Sequence, residues 1–157
     1  MKERNKATPA VYLFLEKGEK FLIVRRCNTG YQDGNYQVPA GHVEMGELPS
    51  EAIIREAKEE IGIDLLPKDL ELVHVSYRPK HDQTGDRVDF FFRARKWKGD
   101  VQNAEPNKCD DLKWVALSDL PKNFTPHVKD ALECVGKGIF FKELDISFLK
   151  KNGLYLL

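Results

Sequence analysis

Residues 41–63 read GHVEMGELPSEAIIREAKEEIGI, and this stretch decides the architecture. Ser50 is a good N-cap and Gly62 a good stop, and apolar residues recur between them at helical spacing. The sequence therefore predicts a helix from residue 50 to about residue 61. On a wheel of about 100° per residue with Ala52 at zero, Glu56 falls at roughly 40°, Glu59 at roughly 340° and Glu60 at roughly 80°. The three carboxylates share one stripe. Ile53, Ile54, Ala57 and Ile61 form the neighbouring stripe, which should face the core, while Glu51, Arg55 and Lys58 take the remaining side. An acidic stripe bordering a buried face belongs at the rim of a cleft.

Working outward, residues 11–15 (VYLFL) read as a buried strand, 16–20 as a turn and 21–25 as the returning strand. Residues 27–35 form a polar loop, and 36–44 look extended but interrupted by Pro39 and Gly41. Downstream, 72–77 and 88–94 read as strands joined by a polar loop through Lys80, His81 and Asp82. A short strand follows at 112–117 and a last helix at about 126–135. Strands and helices alternate without a regular βαβ rhythm. This predicts an α+β fold with a mixed sheet covered by helices, one domain over residues 1–157.

The acidic stripe is energetically odd. Glu56 and Glu60 are like charges at i, i+4, which costs a few tenths of a kcal/mol on an exposed helix. Glu59 adds a third charge, and none lies in the first turn where the helix dipole would help. A bound divalent cation would relieve the repulsion. All-oxygen ligands suit hard cations, Mg²⁺ with Mn²⁺ as a substitute, and not zinc. The ordinary alternative is a solvated acidic face with Arg55 and Lys58 as its partners.

Twenty-five basic residues balance twenty-five acidic ones among 157, with 41% apolar and 32% charged. A balanced chain has no electrostatic drive towards bulk nucleic acid or an anionic membrane, so a nucleotide would have to be captured locally. Cys27, Cys109 and Cys134 are odd in number and far apart, with no C-x-x-C pair. That argues against disulfides and zinc clusters and fits a reducing compartment. The charged N-terminus lacks a signal-type stretch, so the cytoplasm is expected.

The 41–63 segment resembles the Nudix box, G-x5-E-x7-R-E-U-x-E-E-x-G-U, in which U is a bulky apolar residue. Gly41, Glu47, Arg55, Glu56, Glu59, Glu60 and Gly62 fill its fixed positions, Ile61 and Ile63 are apolar as required, and Ala57 is smaller than usual at a U position. A match of this length is highly specific. The approach Pro39-Ala40-Gly41-His42, the strand order and the chain length also look like MutT-type nucleoside triphosphate pyrophosphatases. The resemblance implies an α/β/α sandwich with a loop–helix–loop box. It implies that Glu56, Glu59 and Glu60 are the metal carboxylates, with Glu56 also a candidate base. Arg55 would orient the glutamates, Glu47 would support the loop, and a carbonyl of Ala40 or Gly41 would complete the metal shell.

A second, shorter stretch, Asn103-Ala104-Glu105-Pro106-Asn107-Lys108-Cys109 before Trp114-Val115, is similar to an N-x-E-P-x-K-C segment of triphosphate-cleaving Nudix enzymes. It makes Glu105 a further metal ligand, with Asp110 and Asp111 as fallbacks. His42, Arg26 and Tyr36 are the candidate substrate-binding residues. Arg25 and Arg26 alternate on a strand, so at most one of them should point into the cleft. Tyr31, Tyr36 and the loop from Asn123 to His127 are candidates for holding a base. Arg78, Lys80 and Arg87 could bind phosphate but read first as solvated cations, Trp97 and Trp114 as packing residues, and Glu51 as an i, i+4 partner of Arg55. The expected substrate is a small nucleotide, a nucleoside triphosphate cleaved to monophosphate and pyrophosphate. A nucleotide sugar, ADP-ribose, a dinucleoside polyphosphate or a capped RNA end is the alternative, and a homodimer is left open.

Overall fold

The computed structural model describes residues 1–155, and for Lys80 and His81 the backbone alone. The elements are β1 (Ala7–Lys17), β2 (Lys20–Arg26), β3 (Tyr36–Gln37), β4 (Ala40–His42), α1 (Pro49–Ile61), β5 (Glu71–Asp82), β6 (Gly85–Ala94), β7 (Cys109–Ala116), α2 (Pro126–Gly136), β8 (Phe141–Glu143) and α3 (Ile146–Lys151), with single 3₁₀ turns at Pro67–Asp69 and Leu117–Asp119. The sheet runs β3-β2-β1-β6-β5-β8, with β4 added to β1 and β7 to β2. β1 pairs with β6 in parallel, β5 with β8 in parallel, and the other pairs are antiparallel. This is the mixed sheet and the α+β class expected from the sequence.

β1 carries an unbroken apolar run because both of its faces are covered. Val11, Leu13 and Leu15 face α1, packing with Ile53, Ala57 and Ile61. Ala10, Tyr12 and Phe14 face α2, packing with Val128 and Ala131. The two-residue period of the strand sorts one run into two cores and produces the α/β/α layering.

β1 and β2 pair only beside their turn, at Glu16↔Phe21 and Lys17↔Lys20. Beyond that they diverge, and the chain from Tyr36 to His42 crosses the gap. β3 pairs with β2, Pro39 O accepts from Leu13 N–H at 2.9 Å, and β4 pairs with β1. The divergence leaves a cleft between the two halves of the sheet.

Several expectations shift. The helix begins at Pro49, with Leu48 and not Ser50 at the N-cap. Leucine has no acceptor, and the first turn is held by the Glu51 carboxylate, which accepts from Leu48 N–H at 2.9 Å. Glu51 is therefore committed to the helix start and not to Arg55. β5 runs through residues 80–82 to a tight turn at Asp82–Gly85, where a longer loop was expected. β8 and α3 follow the last expected helix. Trp97 and Trp114 do pack, stacked at 5.9 Å against the first core. No helix among the described residues is long and apolar enough to cross a membrane.

Candidate active site

The cleft has a volume of about 890 Å³ and takes its lining from β1, β2, β4, α1, the 27–31 loop, the β5–β6 hairpin and the loop before β7. α1 presents its carboxylates to it. Ala52 is buried as well as Ile53, Ala57 and Ile61, so the inward arc spans both sides of the acidic stripe. Glu56 and Glu60 lie within that arc. Glu59 lies at its edge, its side chain 51% exposed against 13% for Glu56.

Arg55 organises this end. Its Nε and Nη2 donate to the two oxygens of Glu47 at 2.8 and 3.1 Å, and Nη1 donates to Glu56 at 2.8 Å and Glu59 at 3.3 Å. Nη2 also reaches the His42 carbonyl at 3.0 Å. A planar guanidinium is suited to holding several carboxylates at fixed angles. Glu47 also accepts from Glu44 N–H at 2.9 Å, so the loop and helix halves of the motif are tied through one ion pair. Those bonds to Arg55 and Glu44 pull the Glu47 carboxyl below its ordinary range. Lys58 pairs with Asp64 instead.

Glu56 and Glu60 are shifted the other way. Burial raises Glu56 against the pull of Arg55. Burial, the neighbouring Glu56 charge and the Glu105 charge raise Glu60 well above the usual carboxylate range, although Ala40 N–H donates to it at 3.3 Å. Gly41 explains its own place in the motif, because a Cβ there would overlap the Glu56 carboxyl. The 101–108 loop lies across the end of α1, with Gln102 N–H donating to Ile61 O at 3.1 Å and Ala104 N–H to Glu60 O at 3.0 Å. Asn103 shapes this loop through its side chain, donating to Cys109 O at 2.7 Å and accepting from Glu105 N–H at 3.2 Å. Glu105 is thereby set facing Glu60, with Lys108 beside it at 3.2 Å.

Among the described residues, no three carboxylate, imidazole or thiol groups enclose a point at which an ion could sit as they stand. The donor chemistry nonetheless fits a hard divalent cation. Glu56, Glu60 and Glu105 supply oxygens alone, and the two helical carboxylates are crowded together and reluctant to ionise without a counter-charge.

The rest of the cleft lining is built on arginine–aspartate pairs. Arg78, 2% exposed, donates from Nε to Asp89 at 2.7 Å and from Nη2 to Asp89 at 3.1 Å and Tyr12 Oη at 3.5 Å. Tyr12 is bonded to His127 at 3.0 Å. Arg87, also buried, reaches Asp82 at 3.1 Å. These two arginines were read as solvated; their strands are covered, so they are not. The side chain of Lys80 lies outside the described residues.

Of the proposed substrate contacts, His42 and Arg26 line the cleft and Tyr36 does not. The Tyr36 ring is in the second core and its hydroxyl donates to Asp111. Asp110 pairs with Arg25 at 2.6 Å, so neither fallback acid faces the glutamates. A bulge between Arg25 and Arg26 breaks strict alternation, and both arginines reach the cleft wall. Arg26 is used in folding the 27–35 loop, donating to Tyr31 O at 2.7 Å and Thr29 Oγ1 at 3.0 Å, with its guanidinium over the Tyr31 ring at 5.6 Å. The 123–127 segment holds that loop from behind, Asn123 donating to Gly34 O at 2.7 Å, while Phe124, Thr125 and His127 are buried. His42 is held below its ordinary value by desolvation and by Arg87, so it offers a neutral hydrogen-bonding group. Gln37, 5% exposed, also lines the cleft. The sequence signal was a lone amide in an otherwise apolar stretch, Tyr36-Gln37-Val38.

Comparison with known proteins agrees with the site. The NUDIX domain model matches residues 4–134. The chain is 36% identical over 126 residues to an ADP-ribose pyrophosphatase of Methanocaldococcus jannaschii, covering 77% of this chain and 70% of that protein. It is 25% identical over 124 residues to an 8-oxo-dGTP diphosphatase of Escherichia coli, covering 71% and 85%. The crystal structure of a MutT NUDIX hydrolase from Burkholderia pseudomallei superposes with a TM-score of 0.74 at 26% identity, over 82% of this chain and 97% of that one. The chain belongs to the MutT-like Nudix family and is a pyrophosphohydrolase of small nucleotide substrates, a family that works with divalent metal ions.

Proposed function

We propose that the enzyme hydrolyses a nucleoside or deoxynucleoside triphosphate in the cytoplasm, giving the monophosphate and pyrophosphate, with Mg²⁺ as cofactor and Mn²⁺ able to replace it. The observation that carries this reading is the division of the cleft. The hydroxyls of the two tyrosines lining it, Tyr12 and Tyr31, both meet Arg78, while Glu56, Glu60 and Glu105 cluster apart from them. That suits one base and one phosphate chain.

Glu56, Glu60 and Glu105 would hold the metal with a carbonyl of Ala40 or Gly41, and Glu59 at the exposed edge would complete the set. When bound, the ion neutralises phosphate charge and acidifies water. Glu56 is half-buried and less acidic than a free carboxylate, so it can take the proton as water attacks an inner phosphorus and pyrophosphate leaves. Arg55 keeps the Glu56 carboxyl aimed, and Glu47 keeps Arg55 in place. Lys108, beside Glu105, flanks the acidic end, and Arg26, over the Tyr31 ring, lines the cleft; both can pair with phosphate oxygens.

A diphosphate joined to another group is the second reading, favoured by the 36% identity to a protein named as an ADP-ribose pyrophosphatase. Initial rates on triphosphates, ADP-ribose and dinucleoside polyphosphates at one Mg²⁺ concentration decide between them, with phosphate and pyrophosphate measured separately. Triphosphates should lead and release pyrophosphate. ADP-ribose or a dinucleoside polyphosphate ahead of every triphosphate by about tenfold in kcat/KM would replace the first reading with the second.

A further inference from the structure

Gln37 stands out among the buried polar side chains. Arg78, Asp89, Ser76 and Thr125 all have hydrogen-bond partners. The Gln37 amide, 5% exposed, has none among the described residues, and it lines the cleft. His74 Nε2 is also buried without a hydrogen-bond partner, but it lies away from the cleft. The carbonyl and NH₂ of this amide are left open to the cleft, where a bound molecule can complete them.

The local structure fixes where that molecule must be. Tyr36 and Val38 point into the second core, so alternation along the strand sends Gln37 to the other face, in register with Val24. Val24, its strand partner, lines the cleft with it, and Ala10 and Tyr12 line the cleft from β1. Three residues on, Ala40 N–H contacts Glu60. Three extended residues span about 10 Å, a distance a ribose can bridge between a base and its first phosphate.

We propose that Gln37 is the base-reading residue of this enzyme, its amide completed by the hydrogen-bonding edge of the substrate's nucleobase. An amide presents a donor and an acceptor side by side, and a base edge presents the matching pair. A phosphate would satisfy only the NH₂ group and set an anion against the carbonyl. The inference rests on a nucleotide substrate, and it holds for whichever nucleotide class the wild type cleaves.

The test compares kcat/KM across the four bases, within the class the wild type prefers, for wild type, Gln37→Met and Gln37→Glu. The class panel on wild type judges the triphosphate reading; the base ratios in the variants judge Gln37. Gln37→Met keeps the length and removes the amide. It should lower kcat/KM for the best base by about tenfold to a hundredfold and compress the spread between best and worst. Gln37→Glu should shift preference towards guanine, whose N1–H and amino group both donate. Melting temperatures identify a variant that fails to fold, in which case the other decides. A merely structural role would lower all bases equally. Equal loss on all bases, base ratios unchanged in the folded variants, or a wild type indifferent to base would each overturn the proposal.

Discussion

The two ends of the cleft both bury charge, but they do so in opposite ways. At the far end, Arg78 and Asp89 are opposite in sign and matched in geometry, 2% and 0% exposed, and bonded through two nitrogens. Nothing further is needed to make that pair stable in place. At the helical end, Glu56 and Glu60 have the same sign and are pressed together, and both are raised above their ordinary range. Arg55 answers Glu56, while Glu60 has the Ala40 N–H at 3.3 Å and a hydrogen bond shared with Glu56, and no cation of its own. The first arrangement is finished and works as scaffold. The second is unfinished and calls for a cation from outside.

The largest effect should come from the unfinished end. Glu56→Gln removes the proposed proton acceptor while leaving a group that can still accept from Arg55. Turnover should fall about 10²–10⁴-fold with a small change in KM and an unchanged urea midpoint. A raised KM with normal kcat would move Glu56 from chemistry to binding.

The finished end should respond in stability instead. Asp89→Asn leaves the Arg78 charge buried with its counter-charge gone, a loss of about 3–5 kcal/mol in urea unfolding. Replacing both partners with apolar residues should restore much of it, because no unpaired charge remains. If the single variant matched the wild type, the pair would be decoration, and the contrast between the two ends would fail.

Gly41→Ala sharpens the comparison by acting on activity with little effect on folding. The added Cβ would meet the Glu56 carboxyl and not backbone, so the helix can stay while the carboxylate swings off Arg55. Turnover should drop by about tenfold to a hundredfold, as expected for a misplaced catalytic group. The melting temperature should hold or rise, since alanine restricts the unfolded chain. A large fall in melting temperature would mean that the backbone, and not Glu56, has to move.

The difference between the two ends also explains what could be read from the sequence. The acidic end is written in one contiguous helix, where a fixed angular step places Glu56 and Glu60 beside the buried face. The far end is assembled from β1, β5, β6 and the 27–35 loop. Which strand pairs with which cannot be read from local periodicity, so Arg78 and Arg87 passed as solvated cations. Tyr36 was assigned to the cleft because a two-residue period does not say which face of a strand is which. The bulge after Arg25 defeated the same rule in β2. The helix cap was misplaced by two residues because Glu51, reaching back to Leu48, substitutes for an oxygen-bearing cap. β8 and α3 are too short to leave a pattern.

The smallest effect concerns pH, and it isolates Glu60. A carboxyl whose folded pKa lies above its unfolded value binds its proton more tightly in the folded state. Its stabilising contribution is complete below the unfolded value and is lost as pH rises through the folded one. Glu60 is such a group, raised chiefly by burial and then by Glu56. Without metal, stability should therefore decline as pH rises from the ordinary glutamate range towards neutrality, with a slope of at most about 1.4 kcal/mol per pH unit for the one proton. Glu47 and Asp111, both lowered, act oppositely but in more acidic solution, and His42, also lowered, adds a rise in stability around its ordinary range that wild type and variant share. Glu60→Gln carries no charge to bury, so it should flatten the decline and be the more stable protein at pH 8 without metal. Added Mg²⁺ should raise the wild type's melting temperature at pH 8 and leave the variant's nearly unchanged, because a ligand stabilises only the state that binds it. Melting curves from pH 5 to 8, with EDTA or with Mg²⁺, measure both. Parallel curves for the two proteins under both conditions would mean that Glu60 ionises without strain and that the metal is held elsewhere.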